Sequence, residues 1–262
     1  MGARIATALI GIPVVFYAAC AASLWPLRVF LAAIGILGLY EFVRTEARPN
    51  APYWAWLLGV GFVAALAVWF PAQASSPWIL ALLLIPALAI LVKDLPPALV
   101  ASGWILLPLL SAVSLRAPSV PEPQHLGLAL HGNVLIIVIL CLWAGDSFAY
   151  FIGSAFGKHK LAPSISPGKS WEGAIANLAA CVIVGWALAD PLGLPGEFGL
   201  GLGALCGVLG QVGDLFQSAW KRRHETKDSG SLLPGHGGVL DRFDSLLFCL
   251  PAANAIAYIW RV

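Results

Sequence analysis

The sequence predicts an all-α integral membrane protein: one polytopic domain of about nine transmembrane helices, amino terminus cytoplasmic and carboxyl terminus outside. Three observations predict it. Of the 262 residues, 60% are hydrophobic and 11% charged, where a soluble domain carries roughly 25% charged residues. Apolar stretches close to the ~20 residues that a helix needs to cross a bilayer core recur along the whole chain, with no polar block large enough for a soluble domain. Lysine and arginine fall unevenly on the two sides that alternating spans create.

The first apolar segment, 5–24, follows Arg4 and is trailed by small residues, as a signal peptide would be. Its length, and the spans directly behind it, favour a retained helix. Apolar run length, punctuated by Pro, Gly and charge, places the others near 29–43, 53–70, 78–92, 98–115, 131–152, 173–190, 199–217 and 245–260. With the amino terminus inside, Arg4, Arg44, Arg48, Lys93, Lys158, Lys160, Lys169, Lys221, Arg222, Arg223, Lys227 and Arg242 are cytoplasmic, against Arg28, Arg116 and Arg261 outside. That bias is the positive-inside rule, and it puts two polar loops, 153–172 and 218–244, on one face.

Residues 1–115 hold few ionisable groups away from helix ends; Glu41 and the Lys93/Asp94 pair lie where they can reach headgroups. This half reads as scaffold, and 131–262 as the catalytic half of a single 1–262 domain. The cysteines, Cys20, Cys141, Cys181, Cys206 and Cys249, sit in apolar segments without metal or redox spacing. A net charge of +2 argues against a nucleic-acid partner, and the inverted repeat of many transporters is not visible.

The first polar cluster runs from Trp143 to Gly173. Asp146 lies within a span, where burial costs several kcal/mol unless the group is paired or solvated; it is read as functional, or as the partner of a loop lysine joining two helices. Lys158, Lys160 and Lys169, with Ser164, Ser166, Gly153 and Gly157, suit a polyphosphate, because ammonium groups neutralise it and glycines let backbone N–H groups approach its oxygens. The plain alternative is an ordinary positive-inside loop. Ser166-Pro-Gly-Lys-Ser170 lacks the upstream glycine and the βαβ setting of a P-loop. Ser170 and Glu172 instead mark a helix start, itself favourable to anions.

The second cluster runs from Gly210 to Ser245. Asp214, Ser218 and Lys221 share one helix face. Asp228, Asp241 and Asp244 follow, interleaved with Lys227 and Arg242. A hard divalent cation such as Mg²⁺ takes oxygen ligands, commonly one or two carboxylates plus substrate phosphates, and this pattern meets that demand. Zinc does not fit, because His159, His224 and His236 have no ligand spacing. Gly230, Gly235, Gly237 and Gly238 allow sharp turns, although a flexible loop explains them equally. His236 is a proton acceptor, a phosphate contact or a plain surface histidine.

Ser218-x-x-Lys-Arg-x4-Lys-Asp-x-Gly-x2-Leu-Pro-x-His-Gly-Gly-Val-x-Asp-Arg-Phe-Asp244 resembles the signature of the phosphatidate cytidylyltransferases, also called CDP-diacylglycerol synthases. Trp220 departs from it, standing where Phe or a smaller apolar residue is usual. The resemblance extends over Asp146 to Gly173, and so over most of the carboxyl-terminal half. It implies transfer of a cytidylyl group from CTP to phosphatidic acid in a cytoplasmic (inner) membrane, with the site facing the cytoplasm, and a homodimer among membrane lipids. It further implies Mg²⁺ on Asp214 and Asp241, with a second cation such as K⁺ alongside. Asp228 and Asp244 become secondary ligands or partners of Lys221 and Arg242. Lys227, Arg222, Arg242 and the Gly235-His236-Gly237-Gly238 backbone become contacts for triphosphate or lipid head. Asp146, Lys158, Lys160, Ser166 and Lys169 form the facing wall.

Two other readings share these residues. A CTP-dependent lipid kinase of the polyprenol type would use the same nucleotide and metal but yield CDP. A cation-coupled transporter would bind its ion at Asp146 and Asp214 and leave CTP unchanged.

Overall fold

The computed structural model describes residues 2–46, 58–62, 65, 96–116, 128–230, 232 and 237–262. Its helices are α1 (Gly2–Cys20), α2 (Trp25–Glu46), α3 (Pro97–Arg116, with a π-helical turn at Ser102–Leu106), α4 (Val134–Phe156), α5 (Trp171–Ala189), α6 (Gly196–Arg223) and α7 (Leu240–Trp260). Six of them, α2 to α7, are long and apolar enough to cross a membrane; in α1 the apolar stretch Leu9–Cys20 is shorter. The expected spans at 53–70 and 78–92 lie almost wholly outside the described residues.

The all-α expectation needs one amendment. Between α4 and α5 the chain forms a two-stranded antiparallel hairpin, β1 (Lys160–Ala162) and β2 (Ser166–Ser170), with Lys160 opposite Ser170. Ser170 then caps α5 as expected, accepting from Gly173 N at 3.2 Å. Two other boundaries shift. α6 continues to Arg223 instead of 217, because Lys221, Arg222 and Arg223 in its last turn complement the negative end of the helix dipole. α7 starts at Leu240 instead of 245, so Asp241 and Asp244 stand on its first two turns instead of in the loop.

α4, α5, α6 and α7 pack in succession. The α5–α6 contact is close because glycines recur every fourth residue on one face of α6. A Cβ at Gly199, Gly203 or Gly207 would strike Gly185 O, Cys181 O or Leu178 Cα, the small-residue packing used between helices in lipid, where apolar burial alone gives little drive. α2 and α3 close the bundle through aromatic rings. Trp220 of α6 stacks on Phe42 of α2 (5.4 Å, 8°) and meets Trp104 of α3 edge-on at 5.3 Å, while Trp104 also meets Phe216 at 4.7 Å.

The two ends of the bundle differ chemically. At one, Asn133 caps α4 and also donates to Ala19 O at 2.9 Å, and Arg116 donates to Ala21 O. At the other lie the hairpin, the end of α6 and the start of α7, so that the described parts of both polar loops share that end.

Candidate active site

Two ion pairs organise the polar end. On the hairpin side, Lys169 at the end of β2 reaches Asp214 Oδ2 on α6 at 2.7 Å, and Ser218, one turn on, donates to Asp214 Oδ1 at 3.4 Å. This pair lies in a cavity of ≈ 470 Å³ between α4, the hairpin, α5 and α6, whose lining also includes Asp146, Ser166, Asn177 and Gln211. The volume falls within the ~300–1,000 Å³ of small-molecule sites. Asn177 donates to Asp146 Oδ1 at 3.4 Å, and Gln211 turns its amide to Ala174 O and Gly207 O.

On the loop side, Lys221 of α6 reaches Asp241 Oδ1 on α7 at 2.6 Å. Gln217 donates to the same oxygen at 2.9 Å, while Ser229 N and Gly238 N donate to Oδ2, each at 3.0 Å. Both oxygens of Asp241 therefore carry two donors. Gly237, between these groups, takes φ +81°, a left-handed conformation that side chains disfavour. Asp244, three residues beyond Asp241 on α7, connects the two sides: it lies in the electrostatic field of Asp214, Asp146 and Lys221, and Ser245 N donates to its Oδ1 at 2.7 Å.

The structure thus brings together Asp146, Ser166, Lys169, Asp214, Lys221, Gly237, Gly238, Asp241 and Asp244 at one end. Arg242 is exposed and within the field of Asp146. Lys158, Lys160, Arg222, Lys227 and Asp228 are exposed beside this group and do not line the cavity. Gly235 and His236 lie outside the described residues.

Three contributors were not legible as such. Glu41, read as a headgroup-reaching residue, is buried at 1% exposure and faces Ser229, Val239 and Leu240. Gln217 and Asn177 carry no charge to mark them, and their type in an apolar helix was the only available signal.

Among the described residues no group of three or more His, Cys, Asp or Glu side chains stands close enough to form a complete metal cage. The donor set nonetheless fits a hard cation. Asp146, Asp214 and Asp244 lie in one another's fields, all are oxygen donors, and a cation held partly by substrate phosphates needs only one or two of them. Asp241 could join as a ligand through Oδ1 where Lys221 or Gln217 gives way.

Apolar spanning helices with paired lysines and aspartates at one end define, as a class, an integral membrane protein with a polar site at the ends of its spans. The comparisons narrow this. The model of the Cytidylyltransferase family matches residues 2–260. The chain is 34% identical to a phosphatidate cytidylyltransferase of Brucella abortus over 241 residues, 88% of this chain and 82% of that one. It is 34% identical to that of Haemophilus influenzae over 252 residues, 84% and 86% of the two chains. To that of Bacillus subtilis it is 46% identical over 112 residues, 42% of each. The chain belongs to the cytidylyltransferase family.

Proposed function

We infer that this protein transfers the cytidylyl group of CTP to phosphatidic acid, releasing pyrophosphate and CDP-diacylglycerol. The relatives' names point to the reaction, and the observation that carries it is the Lys169–Asp214 pair in a ≈ 470 Å³ cavity at the end of spanning helices. An oxygen of the lipid phosphate attacks the α-phosphorus of CTP, a new P–O bond forms, and the bond to the β-phosphate bridging oxygen breaks with its electron pair leaving on pyrophosphate. The attacking oxygen is already anionic, so no strong base is required. The obstacle is bringing two polyanions to one phosphorus.

The chain's residues answer that obstacle by position and charge. Lys169 stands at the cavity, its ammonium held by a carboxylate that it can exchange for a phosphate oxygen, while Lys221, fixed on Asp241, adds positive charge within reach of Asp244. Arg222, Lys227 and Arg242 add positive charge at the rim, and the Gly237 N–H is a proposed phosphate contact, that of Gly238 being engaged by Asp241. Asp214 and Asp241 are the proposed ligands for Mg²⁺, with Asp146, Asp228 or Asp244 serving secondary contacts or a second cation such as K⁺. A bound divalent cation would supply neutralisation of phosphate charge in the transition state.

The orientation proposed is amino terminus and site cytoplasmic, supported by the lysine and arginine bias. The test is an assay of the purified protein with CTP, Mg²⁺ and phosphatidic acid. Equal release of pyrophosphate and CDP-diacylglycerol is expected; CDP as the nucleotide product would overturn this reading in favour of a kinase.

A further inference from the structure

We propose that Glu41, in the half of the chain that reads as scaffold, is a positioning residue that caps α7 from another helix and so sets the catalytic loop. α7 has no side-chain cap of its own at Val239, and Val239 N and Leu240 N take their acceptor from outside the helix. Glu41 of α2 supplies it. Its Oε1 accepts from Val239 N at 2.8 Å, and its Oε2 accepts from Leu240 N at 2.9 Å and from Ser229 Oγ at 3.2 Å. No lysine or arginine pairs with Glu41 among the described residues. The N–H groups and the positive end of the α7 dipole are what stabilise this buried carboxylate.

The contacts of Asp241 complete the arrangement. Asp241 takes Ser229 N and Gly238 N, while Glu41 takes Ser229 Oγ and the two N–H groups that follow Gly238. The same two backbone segments, at 229 and 238–240, are therefore held by two carboxylates, one from the site and one from α2. Glycines accommodate the second: a Cβ at Gly230 would lie 2.6 Å from Glu41 Oε1, and one at Gly238 would lie 2.6 Å from Oε2. Glu41 thereby fixes where α7 begins. Because Asp241 and Asp244 stand on its first two turns, Glu41 also fixes how Asp241 meets Lys221. Five residues on, Glu46 meets His224 at 3.1 Å, so α2 grips the loop at both ends.

The role rests on the proposed site, but its first readout does not depend on the reaction. Glu41→Gln keeps the shape and replaces one accepting oxygen with a donor. In hydrogen exchange of the full chain in detergent, amides at 229 and 238–240 are expected to exchange about tenfold faster or more, with α4 and α5 unchanged. In the CTP assay kcat should fall about tenfold or more, with KM for CTP moving less and with Glu41→Asp partly restoring it. Unchanged exchange at 229 and 238–240 overturns the proposal whatever the activity does. Local loosening with full activity removes the catalytic part of it. If Glu41→Gln loosens every helix, Ser229→Ala decides: it deletes one of the three bonds without touching α2. A smaller rise confined to the same amides supports the role, and none overturns it. A protein with no cytidylyl transfer but the same local loosening would count against the reaction and leave the cap intact.

Discussion

The two lysine–aspartate pairs among the described residues of the polar end have the same chemistry and nearly the same length, yet they are built differently. Lys169–Asp214 is open, with side chains 23% and 39% exposed, and Asp214 has one further donor at 3.4 Å. Lys221–Asp241 is closed, with side chains 15% and 6% exposed, and Asp241 holds three further donors. An exposed pair contributes little to stability and can exchange partners. A buried one leaves uncompensated charge when either member is removed. The first is suited to meeting a substrate, the second to holding the loop that faces it.

The sharpest way to break this contrast is to neutralise the two aspartates in turn. Asp214→Asn and Asp241→Asn should each lower turnover by about a thousandfold or more. Only Asp241→Asn should also destabilise the fold, by about 3–5 kcal/mol, seen as a lower melting temperature in detergent. Equal melting temperatures for the two variants would mean that the loop does not depend on its aspartate.

The loop side also rests on packing that the hairpin side lacks. Trp220 is held between Phe42 and Trp104 one residue before Lys221. Trp220→Ala should cost about 3–5 kcal/mol of stability and Trp220→Phe about 1 kcal/mol, because a phenyl ring preserves the stack on Phe42. If Phe were as damaging as Ala, the indole would be contributing something other than ring packing.

Part of this site is legible because a charge inside an apolar span is costly and therefore conspicuous: Asp146 and Asp214 stand out on that ground, whereas Lys169 and Asp241 stand out by the clustering of lysines, glycines and aspartates in the two polar loops. Glu41 is equally charged, but its place near the end of α2 has an ordinary explanation in headgroup contact. Its real partners lie 188 to 199 positions away, beyond anything local spacing reports. The end of α6 was set too early because apolar run length stops where Lys221 begins, although a helix end accommodates basic residues. The hairpin was missed for a different reason: Ser166-Pro-Gly-Lys-Ser170 has no alternating apolar pattern, and its strand character comes from pairing with β1. Trp220, set apart only as a departure from a signature, proves to be the ring that seats α6 on α2 and α3.

The smallest effect expected tests whether the hairpin is a mere carrier for Lys169. Lys169→Met sets the upper limit, removing the ammonium and raising KM for CTP about tenfold or more. Glu172 acts one step away. Its carboxylate accepts from His159 N at 3.3 Å and meets His159 Nδ1 at 2.8 Å, and Trp171 N donates to His159 O at 2.9 Å, so the start of the hairpin is tied to the start of α5. Because His159 is exposed, Glu172→Gln should leave the melting temperature unchanged and raise KM for CTP by less than about fivefold, with kcat preserved. A larger loss would show that the hairpin's geometry, and not only its lysine, is matched to the nucleotide. In the double variant with Lys169→Met, the Glu172 effect should vanish, because a misplaced hairpin matters only through the ammonium it delivers.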